Sequence, residues 1–166
     1  MGLPYPALDM EPRLIEIFVA SSRSVLEMIG LAPLSIGDVA LEKEHRRFGA
    51  LVSVINLAGD MTTGTLVVGF EASTACGIAA ALLGEPQPEL NDDVLSVVGE
   101  ITNMVCGDAK RRLSELGIVV GMARPELLGE GKPLPPPVSR DGVVVFPCSS
   151  VVGEFVVSVD FAVLTA

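Results

Sequence analysis

The segment that begins at Asn91 and runs to about Glu115, "NDDVLSVVGEITNMVCGDAKRRLSE", constrains the fold of this chain more than any other. At about 100° per residue, Val98, Ile101, Val105 and Ala109 fall within roughly 60° of Val94, a single apolar stripe. Ser96, Glu100, Asn103 and Gly107 fall at about 180° to 240°, on the opposite side. A helix with one apolar stripe has to lie on a core and leave its other side to solvent. Asn91 is suited to cap it, and Asp92 and Asp93 complement the positive end of the helix dipole.

The flanking segments say what that core is. "LDMEPRLIEIFVASSRSVLEMIGL" carries Leu14, Ile17, Phe18, Val25, Leu26 and Ile29 near helical spacing, with Asp9 as a cap and Gly30 as the stop. "APLSIGDVAL" reads as one strand, and "FGALVSVINL" and "GTLVVGF" as a hairpin about the turn-rich "AGDMTT". "EASTACGIAAALLG" is an Ala-rich helix ending at Gly84, expected to be buried along most of its girth. After the third helix come "IVVGMA", "GVVVFP" and "VGEFVVSVDFAVL", three β-rich runs, with the Pro- and Gly-rich "LGEGKPLPPPVSRDG" between the first two. The order helix, three strands, two helices, three strands predicts an α/β (α+β) domain, its helices packed on a largely antiparallel sheet. Residues 1–8 read as a tail and 9–166 as a single domain, with no repeat and no dividing linker.

Size and charge narrow the function. A chain of 166 residues buries roughly 70% of its unfolded surface, and 49% apolar against 19% charged residues suits a generous core or a subunit interface. A formal charge of -10 disfavours a nucleic-acid backbone as partner. No apolar run reaches about 18 residues, and "MGLPYPALDMEPR" has neither a signal-peptide pattern nor a myristoylation signal, so no membrane association and a cytoplasmic location are expected. Cys76, Cys106 and Cys148 are odd in number and form no C-x-x-C pair, which gives neither a disulfide framework nor a zinc ribbon.

The exposed side of the third helix is either ordinary wet surface or a site. Gly99 and Gly107 each cost about 1 kcal/mol against Ala in a helix interior, so this side is not built for stability. They leave room for a close approach, by a partner or by another element of the same domain. Glu accepts hydrogen bonds or a proton, and Asn both donates and accepts, which suits it to holding a water in a fixed orientation. Orienting water against a labile phosphoryl bond is a complete catalytic task when the metal and the electrophile lie elsewhere.

At these residues the sequence resembles the CheX branch of the CheC, CheX and FliY family of chemotaxis phosphatases. The family pattern of Asp or Ser, three residues, Glu, two residues, Asn and a distant Pro is met by Ser96, Glu100, Asn103 and Pro125, the last after 21 intervening residues. "LAGDMTTGTLVVGFEASTACGIAAALLGE", "LNDDVLSVVGEITNMVCGDAKRRLSELG" and "LLGEG" are similar to CheX segments in the same order, from about Gly49 onward. The resemblance implies a CheC-like fold and dephosphorylation of a CheY-like response regulator. Glu100 would engage the receiver's active-site lysine and Asn103 would orient the attacking water. Ser96 would be accessory and Pro125 would shape a nearby loop. The chain would need no metal or cofactor of its own, the Mg²⁺ belonging to the partner receiver. Of the three asparagines, Asn56, Asn91 and Asn103, only Asn103 follows a Glu by three residues, which implies one site, as in CheX. The resemblance also implies a homodimer paired through C-terminal strands, for which "VGEFVVSVDFAVL" is either an edge or merely a central strand.

Rival readings are weaker. Cys106 and Arg112 have the C-x5-R spacing of cysteine-dependent phosphatases, but they continue a helical period where that chemistry needs an anion-cradling loop. His45 in "EKEHRRF" reads as an exposed loop histidine, and Asp92 and Asp93 are better used at the helix N-terminus than with Glu100 on a metal. No phosphate-binding glycine motif is present. A receiver-binding module without catalysis is the reading of a different class.

Overall fold

The computed structural model describes residues 12–139 and 142–163. The expected tail and the Asp9 cap lie outside them. Three helices, α1 (Pro12–Leu26), α2 (Ala72–Leu83) and α3 (Asp92–Glu115), pack on one face of an eight-stranded sheet. The strands are β1 (Ser35–Ile36), β2 (Ala40–Glu42), β3 (Leu51–Ala58), β4 (Thr62–Phe70), β5 (Gly121–Met122), β6 (Glu126–Leu128), β7 (Val143–Ser150) and β8 (Gly153–Val163). Their order is β1-β7-β8-β4-β3-β5, with β2 also on β7 and β6 also on β3, and every pairing is antiparallel.

Side-chain alternation assigns the two faces. Leu51, Ile55 and Leu57 of β3, Leu66, Val68 and Phe70 of β4, Val144 and Phe146 of β7, and Phe155, Val157, Val159 and Phe161 of β8 point into the helix-side core. Phe18 of α1 meets Phe161 with ring centroids 5.7 Å apart. Each fully buried Val, Leu, Ile or Phe contributes about 1.5–3 kcal/mol, so this one core dominates stability. The opposite face holds smaller clusters, Val52, Val54, Val67 and Leu128 against Leu134, and Val143, Val145 and Val156 against Phe48.

Several expectations change. "APLSIGDVAL" forms two short strands, because Gly37 breaks away to donate its N–H to the Pro147 carbonyl at 2.8 Å and lies against the Pro147 ring. A strand absent from the sequence reading, β6, pairs with Val52–Val54 at the sheet edge. The last turn of α2 is exposed, with Leu82 and Leu83 each more than two-fifths accessible, so burial of that helix stops at Ala79. β8 is central over most of its length, with β7 paired to Gly153–Val159 and β4 to Phe155–Val163; among the described residues, 160–163 are paired on the β4 side alone.

His45 is also a correction. It is 6% exposed, and its Nε2 lies 2.9 Å from Oδ1 of Asp160, itself 1% exposed. The segment after β2 folds flat on the outer face of the sheet, where Arg46 N–H donates to Ser158 Oγ at 3.2 Å. Oδ2 of the same Asp160 accepts from the backbone N–H groups of Val138 and Ser139. A buried carboxylate must be paired and hydrogen-bonded to persist, and here the partners come from two separate loops.

Candidate functional site

Helix α3 fixes the direction of the site. Val94, Val98, Ile101, Val105, Ala109 and Leu113 are buried as a stripe, as the periodicity predicts. At its start Asn91 Oδ1 accepts from Val94 N–H at 2.9 Å, a cap that contributes on the order of 1 kcal/mol, and Asp92 and Asp93 occupy the first turn. At its end Gly117, at φ 79°, reverses the chain while Ile118 N–H reaches the Leu113 carbonyl at 3.0 Å and Gly117 N–H that of Ser114, also at 3.0 Å. Both ends and one whole side being tied, the outward side is presented by a rigid rod.

That side and the sheet edge enclose an open depression of about 500 Å³ lined by Asp92, Leu95, Ser96, Gly99, Glu100, Asn103, Arg124, Pro125 and Leu127. Ser96 and Glu100 are exposed and Asn103 is half-buried. Among the described residues none of these three side chains has a hydrogen-bond or ion-pair partner, so their polar atoms face solvent uncommitted.

Pro125 arrives from the sheet. Between β5 and β6 the edge leaves its register: Ala123 N–H still reaches the Asn56 carbonyl at 2.9 Å, and the next pair is Glu126 with Val54. Proline has no N–H for the ladder, so it belongs at such an edge irregularity, and the displaced residues are turned toward α3. A Cβ on Gly99 would stand 3.9 Å from Pro125 Cγ, ordinary contact, which puts the buried Gly99 directly beneath the proline ring. Gly107 lies one turn past Asn103, outside the lining, with nothing within 4 Å of an added Cβ. The structure thus brings together Ser96, Gly99, Glu100, Asn103 and Pro125 and leaves Gly107 outside the depression.

The lining also contains residues that the motif does not mark. Arg124 is exposed and is the one cation there; its position beside Pro125 was the only signal the sequence offered. Leu95 and Leu127 form apolar walls, and Asp92 serves both the helix dipole and the rim.

The cysteine alternative fails on burial. Cys106 is fully buried on the core side of α3, and desolvation pushes its thiol up to about 12, so no thiolate is available near neutrality. Arg112 is committed elsewhere, its Nε donating to Asp108 Oδ2 at 2.7 Å, and Arg111 bridges Asp108 and Glu115. Burial works against ionisation of Asp108, but the bonds from Arg112 and Arg111 outweigh it and hold the carboxyl below its usual range. Among the described residues no three His, Cys, Asp or Glu side chains are grouped to hold a metal ion, and no helix is long and apolar enough to cross a membrane.

The site is thus a hydroxyl, a carboxylate and an amide presented together on the outward side of a helix whose other side is buried in the core of an α+β domain. The family model "Chemotaxis phosphatase CheX" matches residues 51–149, more than half of the sequence, and the chain belongs to that family. It is 26% identical over 121 residues to the CheY-P phosphatase CheX of Thermotoga maritima, covering 72% of this chain and 77% of that one. A CheC-like superfamily protein from Shewanella sp. PV-4 superposes with a TM-score of 0.82 at 30% identity, covering 92% of this chain and 99% of that one. The fold is shared, at 20% identity and a TM-score of 0.68 over 92% of this chain and 98% of that one, with the structure described as a CheX-CheY-BeF3-Mg complex from Borrelia burgdorferi.

Proposed function

We propose that this chain hydrolyses the aspartyl phosphate of a CheY-like response regulator. The exposed side of α3 enters the receiver's phosphorylation site. The Asn103 amide holds a water against phosphorus on the side away from the aspartyl oxygen, Glu100 pairs with the receiver's active-site lysine, and Ser96 assists from the preceding turn. Water adds to phosphorus as the bond to the aspartyl oxygen breaks, leaving inorganic phosphate and the free aspartate. The Mg²⁺ is the receiver's, held by its carboxylates. Pro125 packs over Gly99 and shapes the depression, and Gly107 keeps the approach low. The homodimer that the resemblance implies, paired through C-terminal strands, stays within this reading, and residues 160–163 of β8, paired on the β4 side alone among the described residues, are the stretch it would use.

The observation that carries the reading is that Glu100 and Asn103 lie side by side, uncommitted, in one open depression on a helix whose other side is locked in the core. The test is phosphate release from a phosphorylated CheY-like receiver with wild type, Asn103→Ala and Glu100→Ala. Loss of the positioned water should lower kcat/KM roughly 100-fold in Asn103→Ala, with a comparable loss in Glu100→Ala. Complex formation by the wild type without accelerated hydrolysis would leave a receiver-binding module, and turnover that depended on Cys106 but not on Asn103 would exclude the helix mechanism.

A further inference from the structure

We infer that Arg124 is the docking residue that sets affinity for the receiver, by pairing with a carboxylate on the anionic rim around its phosphoryl group. The inference rests on the proposed function and adds to it a residue outside the family pattern. Its starting point is a mismatch of charge. A receiver that holds Mg²⁺ beside an aspartyl phosphate must supply carboxylate oxygens for the ion, so its rim is negative. The approaching chain carries a formal charge of -10, and its depression presents Asp92 and Glu100. Like charges face one another at the moment of encounter.

Arg124 is the one cation in that lining. Unlike Arg111, Arg112 and Arg46, which are tied to Asp108, Glu115 and Glu42, it has no ion pair or hydrogen bond from its side chain among the described residues. Its backbone is held from both sides, by the Ala123 N–H bond to Asn56 at 2.9 Å and by Pro125, which packs over Gly99. A guanidinium on a fixed stem at the mouth of the site suits bidentate pairing with a carboxylate. Charged groups at a rim act mainly on encounter and on salt dependence, and a group placed there need not touch the reacting atoms.

The experiment uses a CheY-type receiver in two forms, loaded with BeF₃⁻ and Mg²⁺ for binding and phosphorylated by a small-molecule phosphodonor for turnover. At low salt Arg124→Glu should weaken binding and raise KM roughly tenfold, with kcat held, and the difference should shrink by most of its size near 0.5 M salt. Arg124→Ala should fall in between, at about threefold, and Arg124→Lys should recover most of the affinity. An Arg124→Glu protein with unaltered KM, binding and salt dependence overturns the inference. A fall in kcat at unchanged KM also overturns it, by placing Arg124 in the reaction. Failure of the underlying reading is separately visible, since Asn103→Ala would then turn over like the wild type whatever Arg124 does.

Discussion

Glu100 and Asn103 were legible as a pair because helical periodicity alone puts positions four and three apart on one side, and the buried stripe of α3 fixes which side that is. Arg124 was not, because the segment before Pro125 has no period from which a direction can be read. His45 was misread for a related reason: its partner is 115 residues away, and nothing local announces it. Cys106 illustrates how burial decides chemistry at this scale. Native protein should leave Cys106 and Cys148 unlabelled by a thiol reagent at pH 8, and Cys106→Ser should keep its turnover, as read by mass spectrometry and phosphate release. The thiol of Cys106 is raised in the folded state from 9.0 to about 12. Its contribution is therefore complete below pH 9.0 and lost as pH rises toward 12, because the unfolded thiol ionises first. Denaturant midpoints should fall across that window, and fall less in Cys106→Ala.

At the scale of elements, long periodic segments were the readable ones. Helices α2 and α3 and strands β3, β4, β7 and β8 each carry a pattern strong enough to survive tertiary context. The short strands β1, β2, β5 and β6 exist only because a longer neighbour offers them backbone groups, and two or three residues cannot show an alternation. The glycines of α3 separate stability from approach. Gly107→Ala adds a methyl to open space and should stabilise the helix by about 1 kcal/mol in urea denaturation. Gly107→Phe should fold as well as Gly107→Ala but raise KM for the receiver, because a ring there stands in the path of the incoming surface.

For the whole molecule, the antiparallel sheet with helices on one face followed from the order of elements, while the cover of its second face did not. That cover consists of residues near 43–50 and 129–139, which lack regular structure and converge on Asp160. Asp160→Ala should destabilise the protein by about 1–3 kcal/mol for each buried polar group it leaves unpaired, His45 among them, in denaturant titration. Removing both residues together should cost less than the sum of the single losses. The segment from Ala123 to Pro125 has a consequence of another kind. An exposed strand edge is a template on which a foreign strand can add, and at this end of the sheet the outermost strands are two fragments separated by three residues, the last of which has no N–H to offer. The same irregularity that turns Pro125 toward the helix denies a continuous ladder to stray chains, so smoothing this edge to improve the sheet would invite aggregation.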